Sequence, residues 1–292
     1  AQGDTKSYRN ILIISFFLNI ILNPLFVFGF GVIPAFGVSG LAIATIISQF
    51  ISLIYILTKV LKSDIAQLIT FKFFLIKINL IVDLLKQGMP ITISLMLIGL
   101  GIYNILFFVS KFGDIATAGY GVALRIEQLL LLPTIGLNTA VLSITGQNFG
   151  AKEYERIGEV YFKAIFYGAF MMLIAGLFIF FGGSFLIQLF TNDTEVLLYG
   201  VQYLKIAALI GPIYPVFFIT NAFFQGIKKP IYSTCINLFR IVILPFVTMW
   251  IMLNYFNGGF VDLFMGLLVI NWIFGIFILI VVKYIFLKKL MS

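Results

Sequence analysis

YFKAIFYGAFMMLIAGLFIFF, residues 161–181, decides the fold class. One charge, Lys163, stands near its start and the rest is an uninterrupted apolar run, and roughly 20 such residues are what a helix needs to cross the hydrocarbon core of a bilayer. Runs of the same kind recur at Ile11–Phe28, Leu41–Leu57, Pro90–Val109, Ala116–Thr145, Val196–Phe224, Tyr232–Leu253 and Val261–Tyr284. The expectation is an all-α membrane protein with about eight transmembrane helices. Pro133 with Gly136, and Gly211 with Pro212 and Pro215, mark where backbone hydrogen bonds are lost and kinks are expected, whether passive or hinge-like.

Composition agrees. The chain is 62% hydrophobic and 10% charged with a mean hydropathy of +1.13, whereas a soluble domain carries about 25% charged residues. Its 292 residues leave room for the spans and short loops but for no sizeable soluble domain. The net charge of +8 is scattered between apolar runs rather than gathered into a basic block, so nucleic acid is not expected as a partner. Cys235 is the sole cysteine and histidine is absent, which excludes a disulfide framework and a thiol or imidazole metal site and leaves carboxylates as proton carriers near neutral pH. There is no phosphate loop and no nucleophile with a histidine base, so the sequence does not read as an enzyme.

The charges alternate along the chain. Lys6, Arg9, Lys59, Lys62, Lys72, Lys77, Lys152, Arg156, Lys228, Lys229, Lys283, Lys288 and Lys289 fall on one side; the opposite loops hold little beyond Lys111, Asp114, Asp193, Glu195 and Asp262. The positive-inside rule therefore places both ends of the chain in the cytoplasm of a multi-pass inner or plasma membrane protein. The stretch Lys59–Gln87 is too polar to span, and Phe73–Lys86 spaces Leu75, Ile78, Ile81, Val82 and Leu85 as an amphipathic helix lying along the membrane surface. A short repeat, Gln2-Gly3-Asp4-Thr5-Lys6 before the first span and Gln225-Gly226-Ile227-Lys228-Lys229 before the seventh, gives a period of six helices. On that period residues 1–58 hold the last two helices of a first lobe, 59–89 a cytoplasmic linker and 90–292 a complete second six-helix lobe, with four further helices expected before Ala1.

Several segments resemble the multidrug and toxic compound extrusion (MATE) family. Gly121-Val122-Ala123-Leu124-Arg125-Ile126-Glu127-Gln128, followed by Leu132-Pro133-Thr134-Ile135-Gly136-Leu137-Asn138, resembles its eighth helix, and Gly146-Gln147-Asn148-Phe149-Gly150-Ala151-Lys152-Glu153-Tyr154-Glu155-Arg156 the loop after it. Lys86-Gln87-Gly88-Met89-Pro90 is similar to the start of the seventh helix, and Pro34–Thr45 to the turn into the sixth. The resemblance covers nearly the whole chain, as the fifth to twelfth helices. It implies a V-shaped pair of six-helix bundles that export organic cations and drugs in exchange for sodium ions or protons, with no cofactor beyond the coupling ion. It also implies lipid as the surrounding partner and a monomer when full length. Two other readings stay open: a lipid-linked saccharide flippase on the same architecture, and a truncated chain that transports nothing.

Asn19 and Asn23 lie one helical turn apart in the first span. The resemblance implies a cation site there, with Thr45 at the start of the next span, although Asn23 stands where the family has a carboxylate. Hydrogen bonding of the two amides between helices explains the same residues. Glu127 is the carboxylate well inside a span, roughly 16 Å from its outer end at about 1.5 Å per residue. Arg240 lies at matching depth in its own span, so the two can pair; Arg125 points to a different helix face from Glu127. Glu127 either takes up a proton or a cationic substrate, with Arg240 or Arg125 setting its affinity, or forms a permanent structural bridge. Tyr103, Asn104, Tyr120, Tyr214 and Asn221 are the polar-tipped candidates for substrate contact, and the 34 Phe and 13 Tyr suit either flat cations or lipid-facing packing. Gln147, Asn148 and Gly150 form either a gate loop or a helix cap.

Overall fold

A computed structural model describes residues 5–31, 33–62 and 78–288. Among these, eight helical segments are long and apolar enough to cross a membrane. They divide into two compact units, Ala1–Ile78 and Asn79–Ser292.

The first unit is a pair of helices, α1 (Thr5–Phe28) and α2 (Val38–Leu61). They meet through Gly40, Ala44 and Ser48, which recur at i, i+4 and i+8 and are buried. A Cβ at Gly40 would stand 2.4 Å from the Phe26 carbonyl oxygen, so no larger residue permits this crossing. Residues 1–4, which hold most of the Gln2–Lys6 repeat, and 63–77, the middle of the expected linker, lie outside the described residues.

The second unit contains six spans. Helix α3 (Ile78–Val109) begins twelve residues before Pro90, so the described part of the expected surface helix, Ile78–Lys86, continues directly into the span. A 3-10 turn (Ser110–Phe112) leads to α4 (Asp114–Gly150), which stays helical through Pro133. Next comes α5 (Tyr154–Gln188). The sixth span of the chain is broken as Gly211 and Pro212 predict: α6 (Thr194–Ile210), a 3-10 turn (Gly211–Ile213) and α7 (Tyr214–Gly226). Asp193 caps α6, its carboxylate accepting from the amides of Glu195 and Val196.

The seventh span, expected as one regular helix, is not regular. Helix α8 (Pro230–Asn237) opens into a π-helical turn (Leu238–Ile243) before α9 (Leu244–Asn254). The last span is α10 (Phe260–Val281), which also ends in a π turn (Val282–Leu287).

The most apolar window of the α6–α7 span is 72% buried, against 28% or less for the other spans. This broken helix is therefore the axis of the unit. Phe217, Ile219, Phe223 and Leu204 are fully enclosed by its neighbours, while most large apolar residues of α5 face outward, as lipid requires. Helices α4 and α7 end alike. In both, the αL residue is a lysine, Lys152 at φ 61° and Lys228 at φ 59°, and the next residue's amide donates to the carbonyl five residues back, Glu153 to Asn148 and Lys229 to Phe224.

Candidate functional site

Glu127 is the one carboxylate among the described residues that is buried, at 5% exposure. It lies on the α4 face that also buries Tyr120, Ala123, Thr134 and Val141, a helical spacing that turns the carboxylate onto the central α6–α7 span. Two tyrosines of that span receive it. The Tyr203 hydroxyl donates to Glu127 Oε2, and the Tyr214 hydroxyl donates to Oε1 at 3.0 Å. Positions 203 and 214 are eleven apart, close to three full turns, so they share a face across the 3-10 break. That spacing was a readable signal for Tyr203, which sequence reasoning left out.

Behind the clamp stands an aromatic wall. Tyr120 meets Tyr203 edge-on with centroids 4.9 Å apart and stacks on Phe264 of α10 at 5.6 Å, while Phe264 also meets Tyr203 at 4.7 Å. A carboxylate with both oxygens hydrogen-bonded by neutral donors, walled by rings, can carry a proton or face a monovalent cation.

Arg240 does not form the expected direct ion pair with Glu127. Depth in the membrane matches, but the guanidinium lies over the ring of Tyr214 at 4.8 Å and of Phe217 at 4.4 Å, with Phe218 at 5.8 Å. Tyr214 thus stands between the two charges, its face to the arginine and its hydroxyl to the carboxylate. Such cation–ring contacts are worth about 0.5–2 kcal/mol each.

The π turn presents Arg240. Within the turn the helix widens to i→i+5 bonding, and the Asn104 side-chain amide donates to one of its carbonyls, Val242 O, at 3.0 Å. Gly101, one turn earlier on α3, lets the backbones approach: a Cβ there would lie 2.1 Å from Ile241 Cγ2 and 2.9 Å from Ile241 O. Asn104 is thereby committed to the π turn. Tyr203, Tyr214, Arg240, Phe264 and Asn271 border a cavity of about 120 Å³.

The other predicted residues lie elsewhere. Arg125 is exposed on the far face of α4, and Tyr103 is exposed on α3. Asn221 belongs to a separate polar cluster: it accepts from Ser233 at 2.8 Å and donates to Asn237 at 3.0 Å. Nearby, Thr234 donates to the Pro90 carbonyl at 2.7 Å and accepts from Ser94 at 3.0 Å, tying α3 to α8. Gln147, Asn148 and Gly150 complete the helix cap, with Asn148 donating to Ile144 O and the Gln147 and Gly150 positions exposed.

In the first unit, Asn19 donates to Ser15 O within α1 and the Thr45 hydroxyl to Leu41 O within α2, and among the described residues neither Asn19 nor Asn23 forms the expected hydrogen bond between helices. Asn23 Oδ1 is buried without a partner, as is Ser48 Oγ. Sequence reasoning also missed Thr134 and Asn138, whose Oγ1 and Oδ1 are buried and unpartnered on the face of α4 that carries Glu127.

The family model MatE matches residues 90–251, more than half of the chain. The chain is 28% identical over 89% of its length to a probable multidrug resistance protein, YpnP, of Bacillus subtilis, of which it covers 55%. It is 30% identical over 54% of its length to a second, YoeA, from the same organism, of which it covers 35%. The chain thus spans about half or less of these relatives. In structure it resembles a MOP superfamily transporter from Pyrococcus furiosus, with a TM-score of 0.90 at 22% identity, over 99% of this chain and 64% of that one.

Proposed function

Because the chain belongs to the MatE family, we propose that it is the part of a secondary exporter that moves organic cations out of the cell in exchange for sodium ions or protons, with Glu127 as the exchange site. The observation that carries this reading is the buried carboxylate of Glu127 clamped between Tyr203 and Tyr214. A single negative charge that deep in a span is costly unless it has a task or a partner. Arg240 is separated from it by the Tyr214 ring.

Exchange follows from that geometry. A site with one negative charge satisfies one monovalent cation at a time, so proton or sodium and the cationic substrate displace one another. Transport also requires that each bind the inward-open and outward-open states with different affinity, since equal affinity shifts nothing. The two tyrosines come from either side of the 3-10 break at Gly211–Ile213, so a change of angle there moves one donor relative to the other. Arg240, held at the distance of one ring, offsets part of the carboxylate's charge and keeps a cation from binding too tightly to leave.

The positive-inside rule puts the Lys152 and Lys228 ends of α4 and α7 in the cytoplasm. The family's name-bearing relatives support export of drugs, and the coupling ion is left as either sodium or proton.

The test is efflux of a fluorescent cationic dye from cells expressing this chain, alone and joined to upstream helices, under imposed sodium or proton gradients. Glu127→Gln should abolish gradient-driven efflux while membrane insertion stays normal. Undiminished efflux by that variant refutes the assignment.

A further inference from the structure

The two charged side chains of the site are held in opposite ways. Both oxygens of Glu127 accept a hydrogen bond. Arg240 has, among the described residues, no acceptor within hydrogen-bonding reach; its contacts are the faces of Tyr214 and Phe217. Stacking occupies the flat faces of a guanidinium and leaves free its edge, a rigid fork of N–H donors that matches a carboxylate or another small anion. An arginine at this depth is costly while those donors lack acceptors.

The cavity gives such a ligand room. At about 120 Å³ it is bounded by Arg240 itself, with Tyr203, Tyr214 and Asn271 as its other polar side chains and Phe264 and Leu267 in its walls. A cavity holds one water from about 10–15 Å³ upward, so a halide or a single carboxylate fits. The hydroxyls of both tyrosines are already given to Glu127, which leaves the guanidinium edge as the strongest donor there.

We propose that this cavity binds a small anion on Arg240, either a free halide or the carboxylate of a transported molecule. The proposal deepens the exporter reading and rests on it only for the carboxylate arm. Glu127 decides when the site is open to it. With Glu127 ionised, its charge offsets that of Arg240 across Tyr214 and an arriving anion is held only weakly; with Glu127 neutral, Arg240 is uncompensated and attracts it. Anion binding and loss of charge at Glu127 therefore favour one another, and by linkage the coupling is reciprocal. The charge state of one residue then selects whether the site holds a cation or an anion.

The experiment is calorimetric titration of the purified chain in lipid nanodiscs with bromide and, separately, with benzoate. Saturable binding is expected, weakened at least about tenfold by Arg240→Gln and strengthened at least about tenfold by Glu127→Gln. Binding of bromide alone assigns a free halide, and of benzoate alone a cargo carboxylate. Should Arg240→Gln fail to fold, Glu127→Gln decides by itself, because the arginine is intact in it. No saturable binding of either probe, or affinity unchanged by Glu127→Gln, overturns the proposal. Dye efflux separates the two readings: anion binding that persists where gradient-driven efflux is absent counts against cation exchange alone, and efflux without anion binding counts against the anion site alone.

Discussion

Replacing Gly101 by alanine tests whether the π turn is seated by α3. The added methyl would lie 2.1 Å from Ile241 Cγ2 and 2.9 Å from Ile241 O, both too close, so the helices must part or the isoleucine must move. Overpacking of this kind costs about 1–3 kcal/mol. For a unit of this size that is roughly 2–4 °C of melting temperature per kcal/mol, hence a fall of about 2–12 °C. Parting also stretches the 3.0 Å bond from Asn104 to Val242 O and draws Arg240 away from Tyr214 and Phe217. The assay is a double-mutant cycle of Gly101→Ala with Ile241→Ala, read by thermal melting in detergent and by dye efflux. Ile241→Ala removes the Cγ2 clash but not the one with the carbonyl, so it should recover part of the loss. The expected coupling is favourable by about 1 kcal/mol or more, since contacting residues deviate from additivity on that scale. Strict additivity, or a Gly101→Ala chain as stable and active as the unaltered one, would show that α3 does not seat the turn and that Arg240 is positioned by something else.

Three further outcomes follow from the same geometry. Tyr203→Phe keeps the ring packed on Tyr120 and Phe264 but removes one of two donors to Glu127, a charge-assisted bond worth about 1.5–3 kcal/mol, so gradient-driven efflux should fall at least about tenfold while expression and melting change less. Lys228→Gly should raise the melting temperature, because a lysine at φ 59° carries the left-handed penalty of about 1 kcal/mol that glycine avoids; no rise would mean that the lysine side chain offsets it. Thr134→Val, which deletes a hydroxyl that is fully buried and unpartnered, should be neutral or stabilising by about 1 kcal/mol, and a clear loss in melting temperature would mean that the hydroxyl is engaged.

How much of this was legible in the sequence depends on how far each feature reaches along the chain. The spans were legible because apolar length is a local property, and the break at Gly211 and Pro212 because both residues act on their own backbone. Glu127 stood out for the same reason: a carboxylate inside an apolar run needs no partner to be noticed. The spacing from Tyr203 to Tyr214 was also local, and a helical count over the break would have found it. Pro133 removes one amide hydrogen without ending α4, which runs on to Gly150.

The π turn was not legible, because its cause is not local. Nothing in Leu238–Ile243 demands an i→i+5 register; what accommodates it is an amide and a missing Cβ on α3, 138 residues earlier in the case of Asn104 and Val242. The same distance in sequence explains why the amides were hard to sort. Asn104, Asn221 and Asn23 are alike as sequence, polar groups at a depth where polarity is costly whether it serves substrate or structure. Partners divide them: Asn104 is committed to a carbonyl, Asn221 to Ser233 and Asn237, and Asn23 Oδ1 to nothing. Glu127 and Arg240 were brought together by depth, which is one coordinate of three. The other two placed a tyrosine between them, and that ring turns a buried ion pair, which would hold both residues in one state, into two charges that can be changed one at a time.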